Sequence, residues 1–258
     1  MVRSTDPTSA IMFGHYEKHY VPGNIDSLAD LVINIVFLRN TMSRQVVKMV
    51  ELEQMPWLTV KEGRLSCESQ DAADKVFLQL GGKIFFEAIQ PMRNRSKAPR
   101  RGYGELVSEL VSFARKAHAI AVLWRGGNGV QQVATQIRKV SGFGGKGFRM
   151  KEIVLDLSEV TSREFPSVSD QLVDWSVVGP GPRRMLNWLH NRRWFDNEQD
   201  ALRTETMYID ELREFKNYLQ QKTNIPELRA LNLLGVQFAL CEASKYIFYL
   251  ETEPTWRE

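Results

Sequence analysis

Cysteine is scarce in this chain, with Cys67 and Cys241 the whole supply in 258 residues. Two thiols without metal-ligand spacing exclude a zinc ribbon or a disulfide framework and fit a reducing cytosol; a cytoplasmic location is expected, that of the host cell if the gene is viral. No apolar run reaches the ~18 residues of a membrane span, and the N-terminus lacks a basic-then-apolar signal, so no membrane partner is expected. Nucleotide-binding fingerprints are missing too. The glycine-rich turn at Gly142–Gly147 lacks the Lys-Ser/Thr ending of a P-loop and follows a helical run rather than a strand. No cofactor is expected from this sequence. His15 and His19 lie four apart and on a helix would share one face, as metal ligands often do, but no third ligand stands nearby. They read better as surface or DNA-facing aromatic residues, and no metal is expected.

Acid is also missing, in three places. Ala88–Gly104 holds five Lys/Arg, Arg125–Lys151 six and Trp175–Phe195 four, with no Asp or Glu in any of them. Those windows take fifteen of the 34 basic residues and leave 19 among all 31 acids, so the rest of the chain carries −12. Charge segregated in this way suits a polyanion-binding face on an acidic body, and nucleic acid is the commonest such partner. Three unrelated solvated loops are the alternative.

Hydrophobic residues make up 43% of the chain and recur mainly at helical spacing, so the fold expected is all-α, in one domain over residues 25–258 behind a partly ordered, irregular segment 1–24. Asp26 or Ser27 can cap a long core helix through Leu28, Leu31, Ile35, Leu38, Met42 and Val46, broken near Arg39–Thr41. Arg39, Asn40 and Arg44 then form a polar island in apolar surroundings, where an arginine either sits in a structural ion pair or takes a phosphate. The stretch Trp57–Cys67 reads as a small β-hairpin around Glu62–Gly63 or as an irregular connector. A helix is expected from Asp71 to Gly81. Arg93–Tyr103 is a basic loop in which Arg100 and Arg101 suit a DNA backbone, and a further helix follows over Glu105–Trp124.

Arg138–Asp156 is the most informative stretch. A helical run ends at Val140, glycines and a lysine fill Gly142–Gly147, and a second run begins at Phe148, which reads as helix, hairpin, helix. Gly142, Gly144 and Gly145 permit close backbone approach, and the N–H groups opening the second helix would meet an anion among Lys146, Arg149 and Lys151. A glycine-tightened turn with solvated lysines is the competing reading. Ser169 or Asp170 can cap a short helix. Farther on, Val178-Gly-Pro-Gly-Pro-Arg-Arg places Pro182 at a helix start with Arg183 and Arg184 in its first turn, where they oppose the dipole unless an anion is present. The final helix is expected from Pro226 to about Glu251; in it Glu242 and Lys245 interrupt an otherwise apolar surface, either as a structural pair or as a carboxylate facing an active site.

Four signatures occur in order: Phe37-Leu-Arg-Asn-Thr-Met-Ser-Arg44; Ser141-Gly-Phe-Gly-Gly-Lys-Gly-Phe148 followed by Lys151-Glu-Ile-Val-Leu-Asp-Leu157; Gly179-Pro-Gly-Pro-Arg-Arg-Met-Leu-Asn187; and Cys241-Glu-Ala-Ser-Lys-Tyr246. This order resembles the α-glutamyl/putrescinyl thymine pyrophosphorylase family, amino-acid:DNA transferases of thymine hypermodification related to helix–hairpin–helix DNA glycosylases. The resemblance implies a glycosylase-like helical domain acting on DNA that carries a modified pyrimidine, in which a small amine, an amino acid or putrescine, displaces pyrophosphate from pyrophosphorylated 5-hydroxymethyluracil turned out of the stack. It implies Lys146, Arg183 and Arg184 as catalytic cations and Glu242 or Asp156 as general base. Arg39, Asn40, Arg44, Gly142, Gly144, Gly145, Lys151, Gly179, Gly181, Asn187, Lys245, Tyr246, Arg100 and Arg101 would then bind pyrophosphate or DNA. The rival functions are a glycosylase/lyase using Lys146 as Schiff-base nucleophile and a non-catalytic DNA-binding protein. Oligomeric state is not encoded in any of these features.

Overall fold

The computed structural model describes residues 7–41, 43–80, 103–127, 129–140, 143, 148–192 and 203–252. Among them the chain is helical apart from one two-stranded hairpin. The chain divides into two compact units: residues 1–144 with 152–169, and residues 145–151 with 170–258.

The first unit begins with α1 (Pro7–His19), which replaces the irregular segment expected there. Its Met12, Phe13 and Tyr16 are buried, so it is held by an apolar face that the polar sequence around it disguises. Helix α2 (Ile25–Thr41) is buried almost all round, from Leu28 to Leu38. Its cap is Asn24, whose Oδ1 accepts from the N–H of Asp26 (2.9 Å) and Ser27 (3.1 Å), and not Asp26 or Ser27 as the sequence suggested. Ser27 instead accepts from the Val21 N–H. The expected break falls after Thr41: Ser43 caps α3 (Arg44–Glu51) by accepting from the Val46 N–H.

Strands β1 (Val60–Lys61) and β2 (Arg64–Leu65) form the hairpin. Glu62 and Gly63 between them both have positive φ, 51° and 73°, the turn whose twist suits a two-residue hairpin. The hairpin is tied to α2 at two points. Asn34 brackets Leu58, donating to its carbonyl at 2.7 Å and accepting from its N–H at 2.9 Å, while Asp30 accepts from the Val60 N–H at 2.7 Å. Ser66 caps α4 (Cys67–Gln79), which starts four residues before the expected Asp71 because Ser66 accepts from the Ser69 N–H.

Helix α5 (Tyr103–Arg125) lies along α2, burying Leu106, Leu110, Phe113, Ala117, Ile120 and Trp124 at the predicted spacing. Helix α6 (Val130–Arg138) follows, then α7 (Phe148–Thr161), whose Ile153, Val154 and Leu157 are fully buried. Trp124 Nε1 donates to Thr161 Oγ1 at 2.9 Å, satisfying the one polar atom of a fully buried indole. A short α8 (Pro166–Gln171) begins at the proline rather than at Ser169 or Asp170.

The second unit is built on α9 (Pro180–Leu189), α10 (Glu205–Lys222) and α12 (Leu233–Thr252), with the single turn α11 (Pro226–Arg229) before α12. Its core gathers Val178, Met185, Leu186, Tyr208, Leu212, Leu233, Val236 and Leu240. The one long terminal helix expected from Pro226 is therefore two helices. Asn232 ends the continuity by accepting from the Gly235 N–H at 2.8 Å, while the Leu233 N–H reaches back to the Val173 carbonyl at 3.2 Å.

Candidate functional site

In the first unit the polar island closes on itself. Arg39, in the last turn of α2, donates through Nε and Nη2 to the two carboxylate oxygens of Asp156, each at 2.5 Å, and its Nη1 lies 3.6 Å from Glu152 Oε2. Glu152 and Asp156 are one helical turn apart on α7, so both carboxylates present to one guanidinium. The Asp156 side chain is wholly buried and that of Arg39 is 14% exposed. Burial opposes the guanidinium charge, but Asp156 and then Glu152 outweigh it and hold the Arg39 pKa above its usual value. A phosphate at Arg39 would therefore have to displace a two-point carboxylate. Asn40 is buried and donates to Glu109 Oε2 at 3.3 Å. Arg44 opens α3, and its side chain lies outside the described residues.

The glycine turn is described only at Phe143, buried with its ring edge-on to Phe113 at 4.6 Å between centroids. Gly142, Gly144, Gly145 and Lys146 lie outside the described residues, as do Arg100 and Arg101. Lys151, expected to face an anion, is 1% exposed. Its Nζ donates to Gln237 Oε1 at 3.1 Å and stands 4.1 Å from the centre of the Phe238 ring. An amide oxygen and an aromatic face compensate this ammonium in place of solvent.

In the second unit the double-proline motif places Pro180, not Pro182, at the first position of α9. Gly179 precedes it as a cap without a side-chain hydrogen bond. With proline at Pro180 and Pro182, the first turn offers the N–H of Gly181 and of Arg183, and the latter is already given to the Gly179 carbonyl at 3.1 Å. Such a helix start is a poor anion cradle. Gly181 has a different reason to be glycine: a Cβ there would stand 2.9 Å from Cys241 Sγ and 3.4 Å from Ser244 Oγ, because α9 and α12 cross at that point. Burial pushes the Cys241 thiol pKa up.

Arg183 is buried and turned inward. Its Nε donates to the Val178 carbonyl at 2.6 Å, and its guanidinium lies 4.8 Å from the centre of the Tyr208 ring, whose hydroxyl donates to Asn187 Oδ1 at 3.2 Å. Arg183 and Asn187 are thus joined through Tyr208, while Arg184 is only partly buried. The last motif departs most from expectation. Glu242 and Lys245 form a pair at 2.6 Å with side chains 68% and 50% exposed, and Tyr246 is exposed as well. The buried stripe of α12 runs through Leu233, Val236, Leu240 and Ser244, so residue 242 falls outside it. Neither charge is buried, and an exposed pair of this kind contributes little to stability.

Two groupings escaped the sequence reading. His15 and His19 do share a face of α1, but what meets them is Trp57: His19 stacks on the indole at 5.0 Å and 17°, and His15 meets it edge-on at 5.8 Å. Burial, then His19 and Lys18, lower the His15 pKa to about 4. Among the described residues no group of three or more His, Cys, Asp or Glu could hold a metal ion. The second grouping is Arg192, Arg203 and His190 around Glu211. Arg192 lies inside the third acid-free window and Arg203 does not; only folding brings both to a carboxylate on α10.

Residues 125–252 match the family model described as 5-hmdU DNA kinase, helical domain. No curated protein and no solved structure matches the chain. The match overturns the resemblance to the pyrophosphorylase family and the amine transfer it implied: it points to the phosphorylation of 5-hydroxymethyluracil in DNA, not to displacement of pyrophosphate by an amine. Both chemistries belong to thymine hypermodification and both substrates are DNA bearing a modified uracil. Glycine turns and arginine-rich helix starts suggested DNA, the polymer named in the matched family's description, and amine transfer, a step that the match contradicts.

Proposed function

We propose that this chain is the helical, DNA-engaging part of a system that phosphorylates the hydroxymethyl oxygen of 5-hydroxymethyluracil in DNA. The observation that carries the reading is the match of residues 125–252 to the helical domain of 5-hmdU DNA kinases. Segregated positive charge supports it, since two of the three acid-free windows begin within the matched span.

Phosphoryl transfer needs a nucleotide whose phosphates and magnesium are gripped, and one common form of that grip is the P-loop. The sequence holds no Gly-x-x-x-x-Gly-Lys-Ser/Thr, and among the described residues no cluster of carboxylates of the metal-holding kind occurs. In this reading the matched helical span supplies recognition and positioning of the modified base.

Equilibrium binding to two duplexes identical except for one 5-hydroxymethyluracil in place of thymine tests the proposal. The hydroxyl gains or loses a hydrogen-bonded partner, worth about 1–3 kcal/mol when its site is dry, so the modified duplex should bind roughly 10-fold tighter at fixed salt. Equal affinities across several sequence contexts would refute base recognition by this chain. No increase in phosphorylated nucleoside when the chain is added to a nucleotide-binding kinase and modified DNA would refute the assignment to that step.

A further inference from the structure

Glu211, on α10, is held by more positive charge than it can neutralise. Arg192 grips it with both terminal nitrogens, Nη1 to Oε1 at 3.0 Å and Nη2 to Oε2 at 2.6 Å. Arg203 pairs with the same Oε1, and His190 Nε2 lies 4.0 Å from Oε2. Two permanent cations bonded to one carboxylate leave a formal charge of +1 on that triad, with Glu214 a further acid acting on His190.

The cluster is partly shielded, with side chains 16% exposed for Arg192, 24% for Arg203 and 10% for Glu211. Charges in such a place are less screened by water than surface lysines are. Nε–H of Arg192 and Nε–H of Arg203 are both buried and have no hydrogen-bond acceptor among the described residues. Unsatisfied donors on guanidinium groups are costly to keep, and a phosphate oxyanion is an acceptor matched to their planar fork.

Orientation is already fixed. Besides Glu211, Arg192 Nη2 reaches the Leu186 carbonyl at 3.3 Å, and the Arg203 guanidinium lies 5.5 Å from the centre of the Tyr208 ring. Burial first and then Arg192 lower the His190 pKa; Glu214 raises it, and Arg203 lowers it further.

We infer that Arg192 and Arg203, braced by Glu211 and flanked by His190, form a phosphate-binding site of the second unit. Its ligand is a phosphate oxyanion, either a backbone phosphodiester of DNA or a nucleotide phosphate. Glu211 acts as the brace that aligns the two arginines rather than as a group that touches the ligand. The DNA arm of this inference rests on the function proposed above, and the experiment separates the two.

The full chain is titrated by NMR at the His190 ring with inorganic phosphate, with ATP and with a 5-hydroxymethyluracil duplex, and duplex affinity is measured against salt for wild type, Arg203→Ala and Arg203→Lys. A bound phosphate offsets the arginine field, so the His190 pKa should rise by about half a unit or more. Arg203→Ala should weaken duplex binding about 3- to 10-fold at low salt and lower the slope of log K against log[salt] by about 0.9. Arg203→Lys keeps the charge without the fork; it should fold even if the alanine variant does not, and should bind DNA less tightly than wild type with a nearly unchanged slope. A His190 response to the duplex alone assigns the site to backbone phosphate, and a response to ATP alone assigns it to a nucleotide; either supports the site. The inference is overturned if His190 responds to none of the three, if it responds only to inorganic phosphate at tens of millimolar, or if Arg203→Lys binds the ligand that moves His190, duplex or ATP, as tightly as wild type. An Arg203 effect on thymine and 5-hydroxymethyluracil duplexes alike, with no discrimination by wild type, would keep the phosphate site and sink the proposed function instead.

Discussion

Removing the carboxylate of Asp156 tests whether the Arg39–Asp156 pair is structure or chemistry. In Asp156→Ala the Arg39 guanidinium loses two hydrogen bonds of 2.5 Å and remains largely buried, with Glu152 3.6 Å away as a counter-charge. Breaking a buried pair from one side costs about 3–5 kcal/mol, because the stranded charge keeps its desolvation penalty. Glu152 compensates in part, so about 3 kcal/mol is expected. At ~2–4 °C per kcal/mol for a chain of this size, Tm should fall by about 6–12 °C. Replacing both partners with apolar residues of similar volume, Arg39→Met with Asp156→Leu, should recover much of that loss, since the penalty belongs to the unpaired charge rather than to the missing contact. Urea or thermal unfolding followed by circular dichroism, in a double-mutant cycle, gives the coupling directly. The reasoning fails if Asp156→Ala loses less than about 1 kcal/mol, or if Asp156→Asn keeps full stability while DNA modification is abolished; the second result would make Asp156 a participant in chemistry.

Two further perturbations follow from the packing and the titrating groups. His15 titrates near 4 in the folded chain against 6.5 in the unfolded one, so the unfolded state takes up more protons across that window and stability falls on acidification from pH 6.5 to 4, by at most about 3 kcal/mol. Asp30 acts oppositely: burial raises its pKa from 3.8 to about 6, so its contribution is present at low pH and lost as pH rises through 6. Urea midpoints across pH 4–7 should therefore fall with rising pH in His15→Phe, where only the Asp30 effect remains, and rise more steeply than in wild type in Asp30→Asn; unchanged profiles would refute both assignments. Gly181→Ala would place a methyl 2.9 Å from Cys241 Sγ and 3.4 Å from Cys241 Cα, a clash expected to cost about 1–3 kcal/mol. Adding Cys241→Ala should restore part of that stability in thermal melts, and a neutral Gly181→Ala would show that the α9–α12 crossing is looser than its geometry.

Much of the helical order was legible because core helices carry their own periodicity. The buried positions of α2 and α5 recur as the sequence spacing requires, and the break between α2 and α3 was marked by the polar residues at Arg39–Thr41. Helix starts were less legible. Asn24, Ser66 and Pro180 took the places expected of Asp26, Asp71 and Pro182, since any of several nearby residues can satisfy the first N–H groups and the choice depends on which turn fits the packing. The four motifs suggested DNA, in agreement with the matched family's description, and a reaction that the match contradicts. Basic turns report an anionic partner, and neither amine transfer nor phosphorylation is encoded in charge.

By itself the sequence determined a mainly helical chain, its apolar stripes, its segregated charge and the absence of a P-loop, because each of these is local in the chain or additive along it. Tertiary structure decided which charges meet. It gave Arg39 to Asp156 and Glu152 across more than a hundred residues, turned Arg183 inward to the Val178 carbonyl, left Glu242 and Lys245 in water, and drew Arg192 and Arg203 to one carboxylate. An arginine's sequence neighbourhood is alike whether it faces a phosphate or a buried aspartate. The difference lies in what the rest of the fold brings within about 4 Å, where Coulomb and desolvation terms are large and opposed.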